Sequence, residues 1–182
     1  MKIVNYSFYC FIPFIQNYLT ILMIETQSLS KQKAVGDPYL QLQIDSQTQI
    51  LLPMVMTKEV LNIPSSRLTV MPNMPPFFLG LLNQRSRIFW AVDLGHFLNL
   101  SSLKLDCPHY SIAIIHSRKK ALALAVEKVM GVTRFPQEKI ESPFSTVEAG
   151  LIPYLQGCIP QERQLFLILD PEAILEAAIL NI

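Results

Sequence analysis

Two acidic residues at similar positions, Asp93 and Asp170, are candidates for acid–base chemistry in this sequence. Each follows an apolar run and precedes a short segment of helical composition. A pair of carboxylates is the usual machinery of glycoside hydrolysis. An Asp directly before a helix, however, also caps the free N–H groups of the first turn, which explains both positions without catalysis. We therefore interpret Asp93 and Asp170 as structural.

Other motifs for catalysis or metal binding are not visible in the sequence. The three histidines never occur as i, i+4 pairs, and the three cysteines form no C-x-x-C pair. This spacing argues against a metal site and against a disulfide framework, and it favours a reducing compartment such as the cytoplasm. Six scattered glycines are too few for a phosphate-binding loop. The sequence predicts a protein that is not an enzyme and that needs no cofactor.

The stretch that contains Asp93 occurs twice. Gly80 to Leu98 aligns with Gly157 to Leu175 without a gap, and five of the 19 positions are identical. About one identity is expected by chance. Further upstream, the strand-like segment 39–44 aligns with 110–115. We predict two similar β units, at about 39–98 and 110–180, that are either consecutive or intertwined, with Gly80 and Gly157 as structural glycines.

The elements that position these residues are short strands. Apolar residues alternate with polar ones in several segments, and turn-forming residues separate them. Asp170-Pro171-Glu172 marks the start of a final helix, with an N-cap, a proline at the first helical position and an acidic first turn. The pattern predicts a mainly β fold of small barrels with short helices.

The charge balance limits the class of partner. Fifteen basic and 14 acidic residues give a net charge of +1. Such a chain generates no long-range field that would attract nucleic acid or an anionic membrane. A small barrel that binds nucleic acid remains the alternative interpretation, and it would require a basic face with exposed aromatic residues.

The first 37 residues are interpreted as a leader outside the domain at 38–182. The segment 3–24 is uncharged and mostly apolar, but polar residues and a proline interrupt it. Three interpretations stay open: an upstream extension with Met23 as the true start, an uncleaved membrane anchor, and a signal peptide. The first is favoured.

The segment Gly80–Leu94, which reads GLLNQRSRIFWAVDL, resembles the signature of CheW-like coupling domains. That signature is approximately G-x-x-N-x-R-G-x-x-x-P-V-x-D-L, and five residues match it: Gly80, Asn83, Arg85, Asp93 and Leu94. Lys58-Glu59-Val60 resembles an earlier segment of the family, and the similarity extends over about 39–180. The segment Phe89–Leu98, which reads FWAVDLGHFL, is similar to the corresponding segment of coupling proteins of type IV pilus and phototaxis systems.

The resemblance implies a fold and a function. The implied fold is two intertwined SH3-like barrels of five strands each, with short helices and a C-terminal helix. The implied function is a non-enzymatic scaffold in the bacterial cytoplasm, in a chemotaxis, phototaxis or pilus-motility pathway. It would couple the cytoplasmic tip of a chemoreceptor to the regulatory domain of a CheA-type histidine kinase. Membrane association would arise only through the receptor, unless the leader itself inserts.

The resemblance also implies a set of partner contacts. They are Thr57, Glu59, Val60, Asn83, Arg85, Ile88 and Tyr110. Arg85 is the most informative, because the second copy of the repeat has Glu162 there and the fold itself therefore demands no arginine. We expect Arg85 near the junction of the two barrels. Two departures from the family pattern lie beside it: Ser86 replaces a glycine, and Trp90 replaces a proline.

Overall fold

The structure is a computed structural model that describes most of the chain from Gly36 onward. The described residues are 36–104, 107–118, 120–143, 147–161 and 164–180. The predictions for residues 1–35 and the residue Glu162 lie outside them. None of the helices in these ranges is long and apolar enough to cross a membrane.

The described strands form two sheets. The five-stranded sheet has the order β10-β11-β2-β1-β9. Its strands are β1 (Asp37–Gln43), β2 (Gln49–Pro53), β9 (Lys128–Phe135), β10 (Leu155–Gln161) and β11 (Gln164–Leu169). Strand β1 begins at Asp37, the last residue of the predicted leader, which pairs with Phe135.

The six-stranded sheet has the order β3-β7-β8-β6-β5-β4. Its strands are β3 (Thr57–Pro64), β4 (Leu68–Thr69), β5 (Phe78–Gln84), β6 (Arg87–Asp93), β7 (His109–Ser117) and β8 (Lys120–Val126). Five strands were predicted for each barrel, and this sheet has a sixth, the two-residue strand β4. Two helices follow β6 and β11: α1 (Leu94–Phe97) and α2 (Pro171–Leu180). The predicted mainly β class with short helices is confirmed.

Each sheet curls around its own apolar cluster. The cluster of the five-stranded sheet takes residues from all five of its strands, among them Tyr39, Leu51 and Phe166. The cluster of the six-stranded sheet includes Ile63 and Phe89. A third cluster joins residues of both sheets with the buried face of α2. Strands that contribute alternate residues to two clusters are covered on both faces, which explains their nearly continuous apolar sequence.

The predicted repeat appears as two matched hairpins, β5–β6 and β10–β11. The pairing of each is irregular next to its glycine, between Phe78 and Gly80 and between Leu155 and Gly157. Gly80 has a φ of 138°, and a Cβ there would collide with the backbone of β4. A side chain at Gly157 would likewise collide with Ile140. Both glycines therefore permit a close approach of another segment to the hairpin.

The two halves of the chain are intertwined. β6 pairs in parallel with β8, and β11 pairs in parallel with β2. The hairpin β7–β8, which opens the second repeat, thus joins the sheet of β5–β6 from the first repeat. The hairpin β1–β2, which opens the first repeat, joins the sheet of β10–β11 from the second. The six-stranded sheet takes β3 to β8 from one continuous stretch, whereas the five-stranded sheet combines the first two strands with the last three.

The predicted alignment of segment 39–44 with segment 110–115 is wrong by two residues. Tyr39 pairs with Pro53, two residues beyond the Leu51 that pairs with Ile168. In the six-stranded sheet, the residue equivalent to Pro53 is Ala125, which lies two residues beyond Ala123. Ala125 pairs with Ile112 and not with Tyr110, so Ile112 is the equivalent of Tyr39. A shift of two residues keeps every side chain on the same face of a strand, so the apolar pattern could not reveal it.

Candidate partner-binding surface

The turn between β5 and β6 consists of Arg85 and Ser86. Both have left-handed backbone conformations, with φ values of 48° and 60°. Positive φ at both central residues is the arrangement of a type I′ turn, which suits the twist of a two-residue hairpin. The turn therefore keeps the geometry that favours glycine although Ser86 stands there. It leaves the Arg85 side chain 80% exposed at the tip of the hairpin.

A polar network connects this tip to β3. Nη2 of Arg85 lies 3.2 Å from Oε1 of Glu59. The same Glu59 oxygen accepts a hydrogen bond of 3.1 Å from Nε2 of Gln84. The 20% exposure of the Glu59 side chain means that the carboxylate is held mostly against the sheet. An exposed ion pair of this kind adds little stability, but it restricts the directions in which the guanidinium can point.

Arg67 extends the network on the other side of the hairpin. It lies in the short 3-10 turn Ser65–Arg67, between β3 and β4. Its Nη2 donates to the carbonyl oxygen of Asn83 at 2.6 Å and to Oε1 of Gln84 at 3.2 Å. The sequence analysis missed Arg67 and Gln84 because their partners are distant in sequence. The only signal for Arg67 was a basic residue directly after the turn sequence Pro64-Ser65-Ser66.

Exposed aliphatic side chains accompany the network. Val60, next to Glu59 in β3, is 43% exposed, and Ile88 in β6 is 69% exposed. Asn83 is exposed and pairs with Ile88 across the hairpin. We call Glu59, Val60, Asn83, Arg85 and Ile88 the hairpin surface. Exposed apolar side chains together with an arginine are typical of protein interfaces.

Two predicted contact residues are placed differently. Tyr110 is only 7% exposed and belongs to the apolar cluster inside the six-stranded sheet. It can therefore meet a partner only through a small part of its side chain. Thr57 is half-buried at the start of β3, where its hydroxyl donates to the carbonyl oxygen of Pro53 at 3.1 Å.

Arg85 was expected near the junction of the two barrels. Its partner Glu59 lies in β3 two residues after Thr57, which bonds to Pro53 of the five-stranded sheet. The base of its hairpin reaches the cluster between the sheets, through Phe78 and Val92. Arg85 occupies the opposite end of the hairpin, and its ion pair is with Glu59 of the same sheet. Trp90 belongs to the base: it is partly buried and makes an edge-to-face contact with Phe78 at 5.6 Å between ring centroids.

The carboxylates of Asp93 and Asp170 both accept hydrogen bonds at helix starts. Asp93 is 3% exposed; its Oδ1 accepts from the backbone N–H of His96, and its Oδ2 accepts from that of Leu103 at 2.8 Å. Oδ1 of Asp170 accepts from the backbone N–H groups of Glu172 and Ala173, at 3.0 and 3.3 Å. These bonds account for both repeated acids as structural residues.

Titratable groups with shifted pKa values lie away from the hairpin surface. The hydroxyl of Ser101, aided by backbone N–H groups, lowers the pKa of Asp45. Burial raises the pKa of the Cys158 thiol, and it raises that of Tyr39 with a smaller contribution from the charge of Asp37. Among the described residues, no cluster of histidine, cysteine or acidic side chains could hold a metal ion.

Comparison with known proteins identifies the family to which the chain belongs. A family model described as the CheW-like domain matches residues 38–178. The structure is similar to that of the scaffolding protein TtCheW from Thermoanaerobacter tengcongensis, with a TM-score of 0.64 and 19% identity, over 75% of this chain and 90% of that one. No curated protein matches the sequence. The likeness confirms the predicted fold of two SH3-like subdomains, and the match to the family model covers most of the chain. The chain belongs to the CheW-like domain family.

Proposed function

We propose that the protein is a non-enzymatic adaptor that couples chemoreceptors to a CheA-type histidine kinase in the bacterial cytoplasm. It would bind the cytoplasmic tip of the receptor and the regulatory domain of the kinase at the same time. Membership of the CheW-like family supports this proposal. The resemblance of the segment FWAVDLGHFL to coupling proteins of type IV pilus and phototaxis systems favours such a pathway over a flagellar one.

The observation that carries the proposal is the hairpin surface. It combines an arginine with a largely exposed side chain, a carboxylate that orients it, and the exposed aliphatic residues Val60 and Ile88. A guanidinium offers five donors, and a single ion pair with Glu59 leaves most of them available to a partner. Burial of the two aliphatic side chains in an interface would add affinity without any chemical step.

The fold suits a scaffold because its two sheets share a core. The central cluster contains buried residues from both sheets, among them Leu40, Leu52, Val92 and Leu124. Interiors packed in this way transmit displacement instead of absorbing it. A partner that tilts the hairpin surface would thus act on a partner bound elsewhere on the same body. Coupling of this kind is a difference in binding free energy between two sites.

The test is reconstitution with purified components. Isothermal titration calorimetry would measure binding of the full-length chain to the regulatory domain of a CheA-type kinase and to a receptor cytoplasmic fragment, singly and together. We expect binding to each and a complex of all three. A chain that binds neither component, alone or in the mixture, would refute the proposal. Tight binding to single-stranded DNA instead would favour the nucleic-acid alternative.

A further inference from the structure

A cavity of about 710 Å³ lies at one end of the five-stranded sheet. Tyr39, Ile140 and Ile168 form part of its apolar lining. Its charged lining residues are the acids Asp37, Asp170 and Glu172, and no Lys, Arg or His of the described chain joins them. Cavities of this size are large enough for several side chains of a ligand.

In the six-stranded sheet, a segment of the chain itself enters the corresponding place. Asp93 is the repeat equivalent of Asp170, and the segment after α1 passes over it. Leu103 donates its backbone N–H to Oδ2 of Asp93 at 2.8 Å. The side chains of Leu103 and Cys107 pack against the apolar cluster of that sheet. The segment comes so close that a Cβ on Gly95 would collide with the carbonyl oxygen of Ser101.

Two residues of the cavity wall, Ile168 and Ile140, have counterparts in the six-stranded sheet. Ile168 and Ala91 are equivalent in the repeat, and each pairs with the middle strand of its sheet, at Leu51 and Ala123 respectively. Ile140 precedes Glu141, which bridges to Cys158 of β10. Leu68 likewise precedes Thr69, which pairs with Leu81, the repeat equivalent of Cys158. The cavity is therefore the counterpart of the space that Leu103 helps to fill.

The acceptor groups are equivalent as well. Asp93 uses Oδ1 for the helix cap and Oδ2 for Leu103. The hydrogen bonds that the Asp170 side chain makes within the described ranges use only Oδ1. Asp170 is half-buried, whereas Asp93 beneath its covering segment is 3% exposed. Oδ2 of Asp170 is thus available for the type of bond that Leu103 makes in the other sheet.

We propose that this cavity binds a peptide segment of a partner protein that carries an aliphatic residue next to a basic one. The aliphatic side chain packs against the accessible apolar lining residues Pro53, Val55 and Ile140, and its backbone N–H donates to Asp170. The three carboxylates then favour an adjacent Lys or Arg. The covering segment of the other sheet has this order, because Lys104 follows Leu103. This site is separate from the hairpin surface and does not depend on the adaptor function.

The chain itself supplies a probe for the experiment. A fluorescent, acetylated and amidated peptide of residues 100–104, with the sequence LSSLK, would be titrated with the full-length protein, and its polarisation measured. We expect saturable one-to-one binding that weakens at least tenfold when the peptide reads LSSAK or LSSLE. The protein variant Asp170→Asn should also weaken it at least tenfold. Asparagine caps helices as well as aspartate does, so the variant keeps the start of α2.

Glu138→Gln is the matched control, since it removes one carboxylate outside the cavity lining. It should leave the affinity unchanged. Absence of saturable binding, or equal affinities for the Asp170→Asn variant and the unaltered protein, would overturn the proposal. NMR shift changes at Asp93 and Leu103, without changes at Tyr39 and Asp170, would also overturn it. Binding of kinase and receptor fragments is measured separately, so failure of one proposal is distinguishable from failure of the other.

Discussion

Nη2 of Arg85 lies 3.2 Å from Oε1 of Glu59, and this ion pair joins the tip of the β5–β6 hairpin to β3. The Arg85 side chain is 80% exposed, so solvent screens the pair and its contribution to folding is small. Its effect is on orientation, because Gln84 and Arg67 hold the same corner from the other side. A residue with little influence on stability and a defined direction is suited to an interface.

Replacement of Arg85 should therefore affect binding far more than folding. We expect Arg85→Ala to change the free energy of unfolding by no more than about 0.5 kcal/mol, as is usual for an exposed ion pair. Its affinity for the kinase regulatory domain or the receptor fragment should fall at least about tenfold, as for an arginine at the centre of an interface. Calorimetric titration and urea unfolding of the same preparations would measure both quantities.

Glu162→Ala is the matched control, because Glu162 occupies the position equivalent to Arg85 in the sequence repeat. It should leave both affinities unchanged. If Glu162→Ala disrupts binding while Arg85→Ala does not, the partner-binding surface belongs to the other hairpin.

The turn conformation predicts that Ser86→Gly stabilises the protein. Ser86 has a φ of 60°, which glycine adopts without a steric penalty. We expect a gain of about 0.5–1 kcal/mol, measured by urea unfolding, because relief of strain exceeds the added entropy of the unfolded chain. The exposed Ser46 has no positive φ, so Ser46→Gly should give no gain. Equal effects at the two positions would contradict the prediction.

The two repeated aspartates should differ in their contribution to stability. Asp170→Ala removes the cap of an accessible helix start, at a cost of about 1 kcal/mol. Asp93→Ala also leaves the N–H of Leu103 without its acceptor, so we expect a cost of about 2–4 kcal/mol. Chemical denaturation of the two variants would show the order. A cost for Asp93→Ala equal to or below that for Asp170→Ala would contradict the structure.

Asp45 should make stability depend on acid pH. Hydrogen bonds from Ser101 and from backbone N–H groups favour the ionised carboxylate, so its pKa is lower in the folded protein than in the unfolded chain. The resulting stabilisation is fully present above the unfolded pKa of about 3.9 and is lost as the pH falls through the folded pKa. Ser101→Ala should therefore raise the pKa of Asp45 and weaken the loss of stability with acid.

NMR titration of the Asp45 carboxyl carbon would measure this change. Ser102→Ala is the control, because Ser102 is the exposed neighbour of Ser101, whose hydroxyl donates to Oδ2 of Asp45 at 2.6 Å. An unchanged Asp45 pKa in Ser101→Ala would show that the backbone N–H groups alone set it.

Local signals predicted the hairpins well, and long-range contacts escaped them. Gly80, Gly157 and the two aspartates stand at positions where backbone geometry restricts the residue type, so the repeat was visible in sequence. The burial of Tyr110 depends on a pairing register that apolar alternation leaves uncertain by two residues. The bond between Arg67 and the hairpin joins residues in different elements, which no spacing rule predicts.

The intertwined topology has a consequence for synthesis on the ribosome. The strands β3 to β8 are contiguous in the chain and form one sheet among themselves, so this sheet can close while translation continues. The hairpin β1–β2 emerges earlier, yet its neighbour β11 is the last described strand to be made. The apolar faces of the first hairpin must therefore wait for almost the whole chain. Nascent protein would carry a folded middle and an incomplete outer sheet, and this interval is when it is most exposed to aggregation or to chaperones.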